Sequence, residues 1–118
     1  MAAPNIRNVT TIIGKTAVLA VTGSAVAIVT NSAASGKVFK VNSLYVSNVG
    51  AANKWITVDL YRSATATHLS YRIAVPQSAT ILPIEKDTPI YLEEGDSLRL
   101  HAETTAFLEA VASYEEIS

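Results

Sequence analysis

Thr88-Pro89-Ile90-Tyr91-Leu92-Glu93-Glu94-Gly95-Asp96-Ser97-Leu98-Arg99-Leu100 is the stretch that decides the fold class. Ile90, Tyr91 and Leu92 form a β-prone apolar run. Glu93 to Ser97 then supplies Gly, Asp and Ser, residues that tolerate positive φ or bond their own backbone. Beyond them, Leu98, Leu100 and Ala102 alternate with Ser97, Arg99 and His101, the period of a half-buried strand. The stretch predicts a hairpin: strand, tight acidic turn, strand.

The same grammar extends in both directions. Downstream, Leu108, Ala110, Ala112 and Tyr114 define one face of a last strand, with Phe107, Glu109, Val111 and Ser113 on the other. Upstream, Pro83 interrupts a short run from Ala79 to Ile84, which suits an edge strand because proline donates nothing to a ladder. Leu69, Tyr71, Ile73 and Val75 alternate against Ser70, Arg72 and Ala74. Ile56, Val58 and Leu60 alternate against Trp55, Thr57, Asp59 and Tyr61. Between Lys37 and Val49 the apolar parity changes from Phe39 and Val41 to Leu44 and Val46, which predicts a β-bulge near Asn42-Ser43.

Residues 17–24 and 25–32 echo each other, Ala-Val-Leu-Ala-Val-Thr-Gly-Ser against Ala-Val-Ala-Ile-Val-Thr-Asn-Ser. Two copies are too few for a solenoid, and a pair of strands joined by a type II′ turn at Gly23-Ser24 is the simpler reading. Residues 1–11 hold Pro4 and show no period, so an extended N-terminal arm is expected before a single domain over 12–118. Eight or nine short strands without a helical period predict an antiparallel β-sandwich of jelly-roll type, with a small closed barrel as the alternative.

Composition narrows the functions. Nine basic and ten acidic residues leave a formal charge of −1, which disfavours nucleic-acid binding. Without cysteine there is neither a disulfide nor a thiolate metal site. Charged residues make up only 16% of the chain, below the roughly 25–35% of a well-solvated surface, so burial against other subunits is expected. Ile12 to Val29 is interrupted by Lys15, Gly14 and Gly23, and no membrane span is expected.

Gly14-Lys15-Thr16 ends like a phosphate loop, but Val9 stands where that motif needs glycine. His68 and His101 read as surface histidines rather than as part of a zinc set. Glu93, Glu94 and Asp96 lack the Asp-x-Asp-x-Asp-Gly spacing of a calcium loop and read as a solvated turn. The chain is therefore expected to be neither an enzyme nor the holder of a cofactor. Tyr45, Trp55 and Tyr61 fall on the outward parity of their strands, where aromatics favour a subunit or glycan contact.

Several segments carry a family likeness. They are Met1 to Ile6 with Asn8-Val9-Thr10-Thr11-Ile12, Gly36 to Leu44, Val58 to Ser63, Lys86 to Leu98, and Ser113 to Ser118. Together they resemble small β-rich virion proteins of tailed bacteriophages, particularly phages of cyanobacteria. The resemblance implies a multi-copy, non-enzymatic component of the virion, first a capsid decoration or cement protein that binds the major capsid protein. Such proteins are often trimeric and grip the shell with an N-terminal arm, which would place Asn5, Ile6 and Arg7 at the contact. A tail, neck, baseplate or fibre-attachment part is the alternative. A glycan- or receptor-binding module using Trp55, Tyr61 or Tyr45 is a second one.

Overall fold

The computed structural model describes residues 11–118, which form nine strands and the turns between them. These are β1 (Ile12–Ala20), β2 (Val26–Thr30), β3 (Val38–Asn48), β4 (Lys54–Arg62), β5 (Thr65–Val75), β6 (Thr80–Ile84), β7 (Ile90–Leu92), β8 (Ser97–Ala102) and β9 (Leu108–Ile117). All pairings are antiparallel. One sheet runs β1-β9-β3-β6, with β7 also on β3, and faces a second sheet of order β2-β8-β4-β5. We call them sheets A and B. The chain is all-β and the sheets form a sandwich, not a closed barrel.

β7 pairs with Phe39 to Val41 and β6 with Leu44 to Ser47, so the two lie end to end along β3 as one interrupted edge strand. Counting them as one gives eight strand positions. Apart from the β4–β5 hairpin, each chain connection between these positions then crosses from one sheet to the other, which is jelly-roll wiring.

Two expected hairpins are corrected by this wiring. Residues 93–96 do not fold β7 back onto β8, because β7 belongs to sheet A and β8 to sheet B. Likewise Gly23-Ser24 separates β1 in sheet A from β2 in sheet B. Turn-forming residues end a strand, and the next strand goes wherever its apolar face is covered. Both connections are corners between layers.

The core lies between the sheets. Val41, Leu44 and Val46 of β3 meet Leu98 and Leu100 of β8 and Ile56 and Val58 of β4, all fully or nearly fully buried. Ala110 and Ala112 at the middle of sheet A are small, leaving room for the leucines opposite. The predicted bulge is present as a register shift between Val41 and Ser43, and it lets both apolar parities of β3 face inward. Buried Asn31 and Asn48 fasten the two ends. Asn31 donates to the Lys37 and Leu92 carbonyls at 2.9 and 3.0 Å, and Asn48 to those of Ala52 and Val75 at 2.8 and 2.9 Å.

β5 departs from its alternation. Its register against β4 shifts twice, between Ile56 and Val58 and again between Val58 and Asp59. The shifts put Leu69 and Tyr71 out of step, and Ile73 sits on an edge, so of the predicted inward set only Val75 is buried. The displaced Arg72 amide donates to the Thr57 hydroxyl at 3.0 Å instead of to a ladder carbonyl.

The β4–β5 hairpin turns through Ser63 and Ala64 at φ 51° and 60°, the two positive values of a type I′ turn. Neither residue is the Asn-Gly that such a turn favours. Changing Ser63→Asn together with Ala64→Gly should raise unfolding free energy by about 1 kcal/mol, since an L side chain costs about that much there. Urea denaturation checks it; an unchanged or lower midpoint would show that the turn carries no strain.

Candidate functional site

Tyr45 stands on the outer face of sheet A, between core residues Leu44 and Val46 as its parity required. Register places Val111 beside it on β9 and Val18 beyond that on β1. Leu82 lies in the irregular part of β6 that faces Tyr45 on the other side. The result is an apolar row across the sheet, with exposures of 76% for Val18, 36% for Val111, 42% for Tyr45 and 40% for Leu82. Thr16, Ser113 and Ser43 form the next row on one side, and Glu109, Ser47 and Thr80 line the other. Val18, Val111 and Leu82 were not singled out in the sequence. Only the register brings them to Tyr45.

Trp55 and Tyr61 share the outer face of sheet B, so they form a surface separate from Tyr45 on the opposite side of the sandwich. This face is more covered than a solvated one. Arg72 lies over the Trp55 ring at 4.9 Å, Arg99 lies over Tyr61 at 3.8 Å, and His101 meets Trp55 edge-on at 5.6 Å. Beneath them Thr57 and Asp59 are buried, Asp59 to 2% exposure. Their parity alone predicted solvent. Long cationic side chains laid flat on the sheet provide the cover.

Asp59 is partnered on two sides. His68 Nδ1 donates to its Oδ1 at 2.5 Å, and an Arg99 nitrogen stands 3.7 Å from its Oδ2. The two histidines thus meet one face of β4 from either side, His68 from β5 and His101 from β8. An acid holding a histidine is half of a nucleophilic constellation. Among the described residues no hydroxyl donates to His68; its other neighbour is the Tyr71 ring at 4.8 Å. A shallow depression beside Trp55 is lined by Asn53, Lys54, Arg72, Ala74 and Glu103.

The acidic corner of residues 93–96 is occupied by its own protein partners. Arg62 Nε and Nη2 donate to the two Asp96 carboxylate oxygens at 2.8 and 2.6 Å, and Nη2 also reaches Glu93 at 2.8 Å. The Glu93 amide donates to Asp96 Oδ2 at 2.8 Å, and Gly36 N–H to Glu94 at 2.9 Å. The Arg62 guanidinium, together with the Glu93 amide, holds the Asp96 carboxyl below the usual range against the opposing effect of burial. At the same end Lys15 and Lys37 lower Glu116, and Glu116 in turn raises Lys15. No group of three or more metal-ligating side chains converges among the described residues.

Asn5, Ile6 and Arg7 lie outside the described residues. Thr11 is within them and exchanges two backbone hydrogen bonds with Ser118, each 2.9 Å. No helix among the described residues is long and apolar enough to cross a membrane.

No protein-family model and no curated protein matches the chain. Among solved structures, the chain is similar to a protein of Bacillus endospore appendages, described as a novel family of disulfide-linked pili. The TM-score is 0.56 and the identity 12%, over 100% of this chain and 96% of that one. At that identity, the likeness is one of fold.

Proposed function

We propose that the chain is a non-enzymatic structural subunit of a phage virion, in first place a capsid decoration or cement protein seated on the major capsid protein. The observation that carries the reading is the exposed row Val18, Val111, Tyr45 and Leu82 across the outer face of sheet A. A contiguous apolar strip flanked by small hydroxyls is what a sheet presents when another protein covers it. The sparse charge of the whole chain fits the same use. A comparable fold occurs in a pilus protein of Bacillus endospore appendages, a family that is disulfide-linked. With no cysteine, this chain would be held in place without disulfides.

The test uses particles with and without the protein. Tyr45→Asp and Val111→Asp should each leave the fold intact and sharply reduce occupancy on the particle. Deleting residues 1–10 should also lower occupancy, while the Thr11–Ser118 pair keeps β1 in place. Electron microscopy of the particle would distinguish capsid from tail, neck, baseplate or fibre. Full occupancy by all three variants, or shells equally stable without the protein, would refute the cement role.

A glycan-binding module is the second reading, drawn from the depression beside Trp55. It is the weaker one, because guanidinium groups already cover one face of both the Trp55 and the Tyr61 ring. Binding of the isolated protein to host polysaccharide, lost on Trp55→Ala, would favour it.

A further inference from the structure

The four edges of the sandwich differ in how they are protected. β6 and β7 share an edge that is broken after Ile84 and carries Pro83. β5 has two register shifts and a left-handed residue, Arg72 at φ 49°. β2 is five residues long, with a shift between Ala27 and Val29. Breaks, prolines, bulges and shortness are how sheet proteins discourage edge-to-edge pairing. β1 has none of them. Its nine residues keep one register against β9 from Ile12 to Ala20. Its single charge, Lys15, is held 2.8 Å from Glu116 of the same chain.

The direction of its free groups follows from the bonds at its two ends. Thr11 and Ser118 exchange both backbone bonds, and the Val21 amide donates to the Leu108 carbonyl at 3.0 Å. In an antiparallel ladder bonded and non-bonded pairs alternate. The odd-numbered residues therefore bond β9, while Ile12, Gly14, Thr16, Val18 and Ala20 direct N–H and C=O away from it. Among the described residues β1 pairs with β9 alone.

We propose that this edge pairs antiparallel with β1 of a second copy, about a two-fold axis at Thr16, joining sheet A across both molecules. The proposal names a partner within the assembly reading above and rests on it. In this register Ile12 faces Ala20 of the second copy, Gly14 faces Val18, and Thr16 faces Thr16, so the outward backbone groups are satisfied reciprocally. Side chains fit as well. Val18, the most exposed large hydrophobic residue among those described, lies over Gly14 of the second copy, where an added Cβ would meet nothing within 4 Å. On the inner face Ile13 meets Leu19, and Lys15 meets Ala17. A register centred on Lys15 would instead place the two Lys15 side chains directly opposite one another, a like-charge pair.

The chain has no cysteine, so Thr16→Cys introduces a single thiol. Residues in a hydrogen-bonded antiparallel pair have Cα atoms about 5.5 Å apart, within disulfide reach. The full chain carrying Thr16→Cys should form a disulfide dimer under mild oxidation faster than Ser63→Cys, a turn residue on another edge. Wild type should show twice the monomer mass by light scattering. Thr16→Pro, which removes an outward N–H and spares the β9 ladder, should be a folded monomer. A monomeric wild type in which Thr16→Cys cross-links no faster than Ser63→Cys would overturn the proposal. So would a monomer whose outward β1 amides are protected from hydrogen exchange, since residues 1–10 would then cover the edge. A cross-linked dimer absent from the particle refutes the virion role and leaves the pairing standing; a Thr16→Pro monomer that still decorates particles does not touch that role.

Discussion

Leu98→Ala and Leu100→Ala should each lower the free energy of unfolding by about 2–5 kcal/mol, the range for a buried leucine cut back in a close-packed core. Both side chains are fully buried. β8 is an interior strand, with Leu98 between Val29 and Leu60 and Leu100 between Val26 and Val58. Strands hydrogen-bonded on both sides cannot easily close over a cavity. A domain of this size is stable by about 5–15 kcal/mol, so either loss is a large share. Leu82→Ala is the contrasting substitution. It removes the same atoms from the exposed row on sheet A and should cost about 0.5 kcal/mol or less. Urea denaturation of the three variants measures the difference. A loss below about 1 kcal/mol at both Leu98 and Leu100 would mean that β8 has the wrong face inward.

Face assignment was the part of the fold most legible in the sequence. The alternation of Leu98 with Arg99, of Ile56 with Thr57 and of Ala110 with Val111 reads directly onto inner and outer sheet faces. The parity change at Asn42-Ser43 and the edge position of the Pro83 strand were legible for the same reason. Pairing was not. Alternation says which way a side chain points and nothing about which strand lies alongside. The turn chemistry of Gly23-Ser24 and of residues 93–96 serves a corner between sheets as well as a hairpin. Strand β5 failed differently. Its two bulges are written in backbone geometry, and they moved Leu69 and Tyr71 off the expected face.

The candidate surfaces were legible only in fragments. Tyr45, Trp55 and Tyr61 were identified as outward aromatics, but they belong to opposite faces of the sandwich. The row on sheet A gathers residues from four strands, and a periodicity argument treats each strand alone. On sheet B the outward parity predicted water around Thr57 and Asp59. Arginine and histidine side chains from neighbouring strands cover them instead, a third environment that a two-face rule does not contain.

Asp96→Ala should destabilise the protein by about 2–4 kcal/mol, more than any other single change in the acidic corner. The range takes the roughly 3–5 kcal/mol of a broken buried ion pair and discounts it because Arg62 is half exposed. Three bonds go at once: two from Arg62 and the one from the Glu93 amide that closes the turn. The same turn joins β2, since the Asn31 amide donates to the Asp96 carbonyl and the Gly95 amide to the Asn31 carbonyl. Asp96→Asn keeps an oxygen for the Glu93 amide and should cost less. Acid provides an independent measurement of the same carboxylate. Its pKa is lower folded than unfolded, so as the pH falls the unfolded chain takes up the proton first. The stabilisation is complete above the unfolded value, near 4, and is lost as the pH falls through the folded one. Glu116 is lowered in the same direction and contributes over the same acid window. Wild-type melting temperature should therefore fall on going below about pH 5, and it should fall less steeply for Asp96→Asn. Combining that change with Glu116→Gln should flatten the profile further. If Asp96→Asn keeps the wild-type slope, the Arg62–Asp96 contact contributes nothing in solution, and the corner must be held by the backbone bonds of Asn31, Gly95 and Asp96 alone.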